Sequence, residues 1–191
     1  MAARREDPFA VLVSTMISLR TKDEVTAAAS SRLLARAGGP AALAALSEAV
    51  IARLIFPAGF YRTKARHLRQ AARLLEERHG GRVPQAMEEL LALPGVGRKT
   101  ANLVRNLGFG LPGICVDTHV HRISNRLGWV RTRNPLETER ALEKVLPRRY
   151  WIPVNGLLVA FGQRTCTPQS PRCSACPIRA HCARVGVTRS R

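Results

Sequence analysis

Apolar residues recur along this chain at intervals of three and four, the period of a helix buried on one side. Phe9, Leu12, Val13, Met16 and Ile17 form the first such set. Asp7-Pro8 ahead of them supplies a cap and a proline for the first helical position, so a helix is predicted from residue 8 to about 19. Residues 23–37 read as a second helix closed by Gly38-Gly39, residues 47–56 as one capped by Ser47, and residues 62–79 as a long one closed by Gly80-Gly81. Further helices are predicted over 87–93, 98–109, 117–127, 135–145 and 151–164. In the segment 98–109, Ala101, Val104 and either Leu107 or Gly108 share a face. No alternation of period two is sustained anywhere, so the fold class is all-α. Residues 1–6 are a charged lead-in with no structural signal.

Between the helices over 87–93 and 98–109 stands Leu93-Pro94-Gly95-Val96-Gly97-Arg98-Lys99-Thr100-Ala101. Pro94 disfavours the α conformation in the residue before it and so ends the first helix. Gly95 and Gly97 then permit a tight hairpin. Such a hairpin aims N–H groups outward at the start of the second helix, a ready site for a phosphate. Lys99 falls on the first turn of that helix, where the dipole disfavours a cation. Asp117, in Val116-Asp117-Thr118-His119-Val120, stands where a helix cap belongs. Taken singly these are an exposed lysine and a cap. Together with the hairpin and the cysteines they read as chemistry. His119 and His121 lie on different faces of the helix over 117–127, which is wrong for a shared metal; His119 is placed near the site and His121 is read as structural.

Cys166, Cys173, Cys176 and Cys182 are spaced C-x6-C-x2-C-x5-C, while Cys115 stands apart. Pro168, Pro171 and Pro177 make the segment a loop able to wrap a ligand. No signal-peptide core is present, so the spacing points to metal rather than disulfides. Spacing alone admits tetrahedral zinc or an iron–sulfur cluster. Arg164, Arg172, Arg179, His181 and Arg184 surround these cysteines. They would offset thiolate charge or face a phosphate backbone. Cys115 is read as a small buried hydrophobe.

Charge narrows the partner. The 191 residues carry 31 Lys and Arg against 13 Asp and Glu, a formal net charge of +18. That excess argues for a polyanion, since each phosphate contact releases counterions. Aromatic residues are only 5%, too few for a stacking platform for single strands, so duplex DNA is the expected partner. No apolar run reaches the length of a membrane span, and the expected location is the cytoplasm or nucleoid.

The hairpin, the Val-Asp-Thr-His-Val segment and the four-cysteine loop together resemble endonuclease III, a helix-hairpin-helix family of DNA glycosylases with abasic-site lyase activity, from residue 7 onward. The resemblance implies two helical domains flanking a DNA groove. One is a helical barrel over 8–111 that holds the hairpin, the other an iron–sulfur domain over 113–191. Its ligands are Cys166, Cys173, Cys176 and Cys182, and its cofactor is a [4Fe–4S] cluster of mainly structural role. Only six residues precede Asp7, so a helix that family members place upstream and pack into the cluster domain is expected to be missing or shortened. The resemblance casts Lys99 as the nucleophile, made neutral by partial burial, and Asp117 as stabiliser of the cationic sugar. Gly95, Gly97 and Arg98 become DNA contacts. Arg20, in the polar corner Ser18-Leu19-Arg20-Thr21-Lys22-Asp23, matches a position where well-known bacterial members use Gln to fill the gap left by a flipped nucleotide. Phe60, in Pro57-Ala58-Gly59-Phe60-Tyr61, matches a second wedge, and its turn faintly echoes the central hairpin across a groove. Each also reads as an ordinary turn residue. The implied substrate is a duplex with an oxidised or ring-saturated pyrimidine or an abasic site, engaged by a monomer. Rival readings are a monofunctional adenine or mismatch glycosylase, whose members usually lack a lysine at position 99, and a non-catalytic helix-hairpin-helix anchor.

Overall fold

The computed structural model describes residues 5–191, and among these the chain is helical with no strand. Of the charged lead-in, residues 1–4 lie outside the described residues. The chain forms two compact units, Met1–Leu111 and Pro112–Arg191.

In the first unit, α1 (Pro8–Ser18) begins where the Asp7 carboxylate accepts the N–H groups of Phe9 and Ala10, with Pro8 in the first turn. Val11 and Thr15 are buried as well as Phe9, Leu12, Val13, Met16 and Ile17. A helix buried on nearly every side belongs at the centre of a unit. Accordingly α1 packs against α2 (Asp23–Arg36), α5 (Tyr61–His79), α7 (Arg98–Leu103) and the turn that follows α7. Helix α4 (Glu48–Ile55) starts with the Ser47 hydroxyl accepting the Val50 N–H. A short helix α3 (Pro40–Ala45) was not expected from the pattern, because Leu43 is its one buried residue. Helix α6 (Met87–Leu91) ends before the hairpin.

The helix expected over 98–109 is not uniform. After α7 the backbone widens into a π turn, Val104–Gly108. Ala101, Val104 and Gly108 are buried while Leu107 is exposed, so the choice left open by the pattern falls to Gly108. A Cβ on Gly108 would lie 3.0 Å from Pro8. The wide turn therefore lets the chain close against the start of α1.

The second unit contains α8 (Thr118–Leu127), α9 (Pro135–Val145) and α10 (Pro153–Arg164), with single 3-10 turns at Arg148–Tyr150 and Arg179–His181. Its core is small: Ile114, Val116, Val120, Ile123 and Leu127 meet Leu142, Val154 and Leu158. Helix α10 starts at Pro153 and not at Trp151, since a proline ring is tolerated only in the first turn. Trp151 lies before it, its indole N–H donating to the Leu146 carbonyl at 2.8 Å. Beyond α10 the chain is mostly loop. It is tied back by the N–H of Ser174 to the Arg191 carbonyl, of Arg191 to Pro171, and of Val185 to Arg126 on α8.

Candidate functional site

The hairpin is anchored from below. Leu93 and Val96 are buried, and the Val96 N–H donates to the Leu93 carbonyl at 3.1 Å. Gly95 has φ +80°, and a Cβ there would sit 2.8 Å from His67 Nδ1 on α5. Both facts demand glycine. Gly97 differs from the sequence expectation: its φ of −102° suits any residue, and a Cβ would meet nothing within 4 Å. What Gly97 leaves is open space on the protein's surface at the start of α7. Its carbonyl accepts the Ala101 N–H, the first bond of that helix. Lys99 follows in the first turn, half-buried between exposed Arg98 and buried Thr100.

The two residues matched to wedge positions are neighbours. Arg20 and Phe60 are both exposed, Phe60 by 62%, and the Arg20 guanidinium lies 5.5 Å from the centre of the Phe60 ring. Both take left-handed backbone, φ +53° and +57°, which disfavours a side chain by about 1–2 kcal/mol. Two loops meet here so closely that a Cβ on Gly59 would overlap the Arg20 carbonyl oxygen. Under them lies Lys64 of α5, buried, its ammonium donating to the carbonyls of Ile17 and Leu19 and to Thr21 Oγ1. Burial pushes its pKa down to about 8. Sequence reading missed Lys64. The available signal was a lysine on the stripe Lys64, Leu68, Ala71 and Leu75, where an apolar residue is expected.

In the second unit, Asp117 is the cap of α8: its Oδ1 accepts the N–H groups of His119 at 2.8 Å and Val120 at 2.9 Å. Capping fixes the orientation of the carboxylate and engages one of its oxygens. Further along α8, Arg122 donates to the Cys166 carbonyl at 2.9 Å and to His119 Nδ1 at 3.2 Å. One turn on, Arg126 donates to Cys166 Sγ at 3.4 Å and to the carbonyls of Thr167 and Pro168 at 2.7 Å each. Neither arginine was singled out in the sequence; their i, i+4 spacing was the only trace. His121 is structural, with Nδ1 2.6 Å from Thr138 Oγ1. Cys115 is fully buried, its carbonyl accepting from Asn155.

Cys166, Cys173, Cys176 and Cys182 line one cavity, floored by Leu127, Phe161 and Ile178. None of the four is in a disulfide. A cavity lined by four cysteines with apolar side chains behind them would suit an iron–sulfur cluster, which takes four thiolates. Arg172 and Arg184 also line it, and Arg184 shares an outer dent with Arg179, Cys176 and Cys182.

Two family models match the chain. The family described as the HhH-GPD superfamily base excision DNA repair protein matches residues 13–148, and the iron–sulfur binding domain of endonuclease III matches 166–182, from the first of the four cysteines to the last. The chain is 52% identical over 179 residues to endonuclease III of Thermotoga maritima, covering 94% of this chain and 84% of that one. It is 48% identical over 177 residues to endonuclease III-like protein 1 of Bos taurus, covering 91% of this chain but only 58% of that longer one. Among solved structures, a trapped endonuclease III–DNA covalent intermediate superposes with a TM-score of 0.88 at 35% identity, covering 96% of this chain and 87% of that one. A thermostable thymine-DNA glycosylase superposes with a TM-score of 0.82 at 26% identity, covering 93% and 83%.

Proposed function

The chain belongs to the HhH-GPD superfamily of base excision DNA repair proteins and, within it, to the endonuclease III family, and from that premise we propose that Lys99 is the nucleophile of a DNA glycosylase and abasic-site lyase. The observation that carries the assignment is the placement of Lys99. It is a half-buried amine in the first turn of α7, two residues beyond a glycine with open space where its side chain would be. A phosphate backbone can approach Gly97 closely, which brings a sugar toward the amine.

The damaged nucleotide is turned out of the duplex, at a cost that damage lowers. Lys99 Nζ bonds to the sugar C1′ as the C1′–N bond to the base breaks; the base leaves with the electron pair and takes up a proton that the nitrogen gives up. The C1′–O4′ bond then breaks, O4′ keeping its electron pair and taking up a proton, and the nitrogen lone pair forms an iminium between Nζ and C1′. The iminium acidifies the C2′ proton, whose loss expels the 3′ oxygen as phosphate and cuts the strand by β-elimination. Asp117 supplies negative charge to the cationic sugar and assists proton movement. The substrates are oxidised or ring-saturated pyrimidines in double-stranded DNA, and the setting is the nucleoid of the cytoplasm. Among the described residues no helix is long and apolar enough to cross a membrane.

In the same reading Gly95, Gly97 and Arg98 meet the phosphate backbone, and Arg20 and Phe60 enter the stack vacated by the nucleotide. The four cysteines hold a [4Fe–4S] cluster, which when bound cross-links the loop after α10. Arg126 and Arg122 seat that loop on α8. Incubation with a duplex carrying a ring-saturated pyrimidine and, separately, with an abasic duplex tests the whole. Base release from the first and cutting of the second support it. Binding with neither would mean a helix-hairpin-helix anchor, and base release from the first without cutting of the second would mean a monofunctional glycosylase.

A further inference from the structure

Lys64 is the one lysine among the described residues that is buried, and its surroundings are built for it. Its Nζ lies 2.5 Å from the Ile17 carbonyl, 2.6 Å from the Leu19 carbonyl and 2.8 Å from Thr21 Oγ1. An ammonium has three donors, and three acceptors are present. Ile17 and Leu19 lie at the C-terminal end of α1, where carbonyls lack partners within the helix. The third acceptor extends the chain of bonds: Thr21 Oγ1 also accepts the Gly59 N–H, at 3.1 Å. Thr21 follows Arg20 and Gly59 precedes Phe60. The bonds Lys64–Thr21–Gly59 therefore join, from beneath, the loops that carry the two exposed side chains.

Those loops need such a tie. Arg20 and Phe60 each hold a left-handed backbone without being glycine, a conformation that persists only where its surroundings enforce it. The Gly59 backbone runs so near the Arg20 carbonyl that no side chain would fit between them. Contact between the guanidinium and the ring is left as their mutual support on the exposed side.

We propose that Lys64 is a positioning residue for base extrusion: it clamps the Arg20 and Phe60 loops into one two-pronged probe, so that both side chains reach the duplex as a unit. The inference rests on the reading of Arg20 and Phe60 as the residues that enter the stack. Its consequence is specific. Loosening the clamp harms the step in which a paired nucleotide is turned out and spares the chemistry on Lys99.

The test compares one ring-saturated pyrimidine in two duplexes, paired normally or beside a mismatch that already opens the stack, by single-turnover base release. Lys64→Met is expected to slow the paired duplex about tenfold and the mismatched one less than twofold, a loss on the scale of a few hydrogen bonds. Thr21→Val, which removes the Thr21 hydroxyl and with it the link from Lys64 to Gly59 but leaves Lys64 its bonds to the Ile17 and Leu19 carbonyls, should show the same selectivity in smaller measure. It keeps the test open if Lys64→Met does not fold. Adding either variant to the pair Arg20→Ala and Phe60→Ala should cost no more than that pair alone, because the clamp acts through those two side chains. Selective loss in Arg20→Ala and Phe60→Ala without selective loss in Thr21→Val and Lys64→Met would overturn the clamp and leave the wedge reading standing. Equal losses on both duplexes in Arg20→Ala and Phe60→Ala would overturn the wedge reading and the clamp with it.

Discussion

The two units hold their candidate residues by different means. In Met1–Leu111 the hairpin rides on packed side chains: Leu93 and Val96 enter the same core as α1, and Gly95 fits against His67. In Pro112–Arg191 the last buried apolar residue of the core is Leu158, and the stretch 166–191 adds only the partly buried Cys166, Ile178 and Cys182 to it. That stretch is held otherwise by arginine-to-carbonyl bonds and a few backbone bonds around the cysteine-lined cavity. The hairpin of the first unit is held by packing. The cysteine stretch of the second, which adds little to its core, would be held by its cluster, as small domains commonly are by metals.

The largest expected effect breaks that contrast most directly. Cys176→Ser should bleach the yellow-brown protein and raise hydrogen exchange throughout 166–191, while exchange over Arg98–Gly108 stays protected. Equal loss of protection in both stretches would show that the first unit also depends on the cluster. Next comes Asp117→Asn. Asparagine still caps α8, so melting should be little changed, yet turnover should fall by about a hundredfold with the loss of charge. A matching fall in stability would return Asp117 to a structural role. Gly95→Ala should destabilise the protein by about 1–3 kcal/mol, from positive φ and overlap with His67, read as a lower denaturant midpoint. Gly97→Ala is the smallest and most informative change. It should leave melting within about 0.5 kcal/mol of wild type, the ordinary range for surface substitutions, yet weaken binding to damaged and undamaged duplex alike. Binding that failed only on damaged DNA would remove Gly97 from the phosphate contact. Wild-type affinity should fall steeply with salt, as phosphate contacts require.

Much of the helical fold was legible because its punctuation is local. Asp7-Pro8, Ser47 and Gly80 each mark a boundary through a bond or backbone angle that one or two residues decide. The misses are of another kind. Helix α3 buries too little to leave a pattern, and the π turn after Leu103 is set by what Gly108 meets on α1, which no window of neighbouring residues contains. At the candidate site the same division holds. The hairpin and the four cysteines announce themselves by spacing. Lys64 and Arg126 do not, because their partners are carbonyls on distant segments, and any residue supplies a carbonyl.

Borohydride reduction on an abasic duplex tests the central claim, that the Lys99 amine forms the covalent intermediate. Wild type should give a protein–DNA adduct, with peptide mapping placing the link on Lys99. Lys99→Gln should give none while still binding the duplex. Lys99→Arg should fail as fully, because a guanidinium keeps its proton at any working pH and cannot attack. Undiminished adduct in Lys99→Gln would mean that another amine does the work, and the assignment of Lys99 would be wrong.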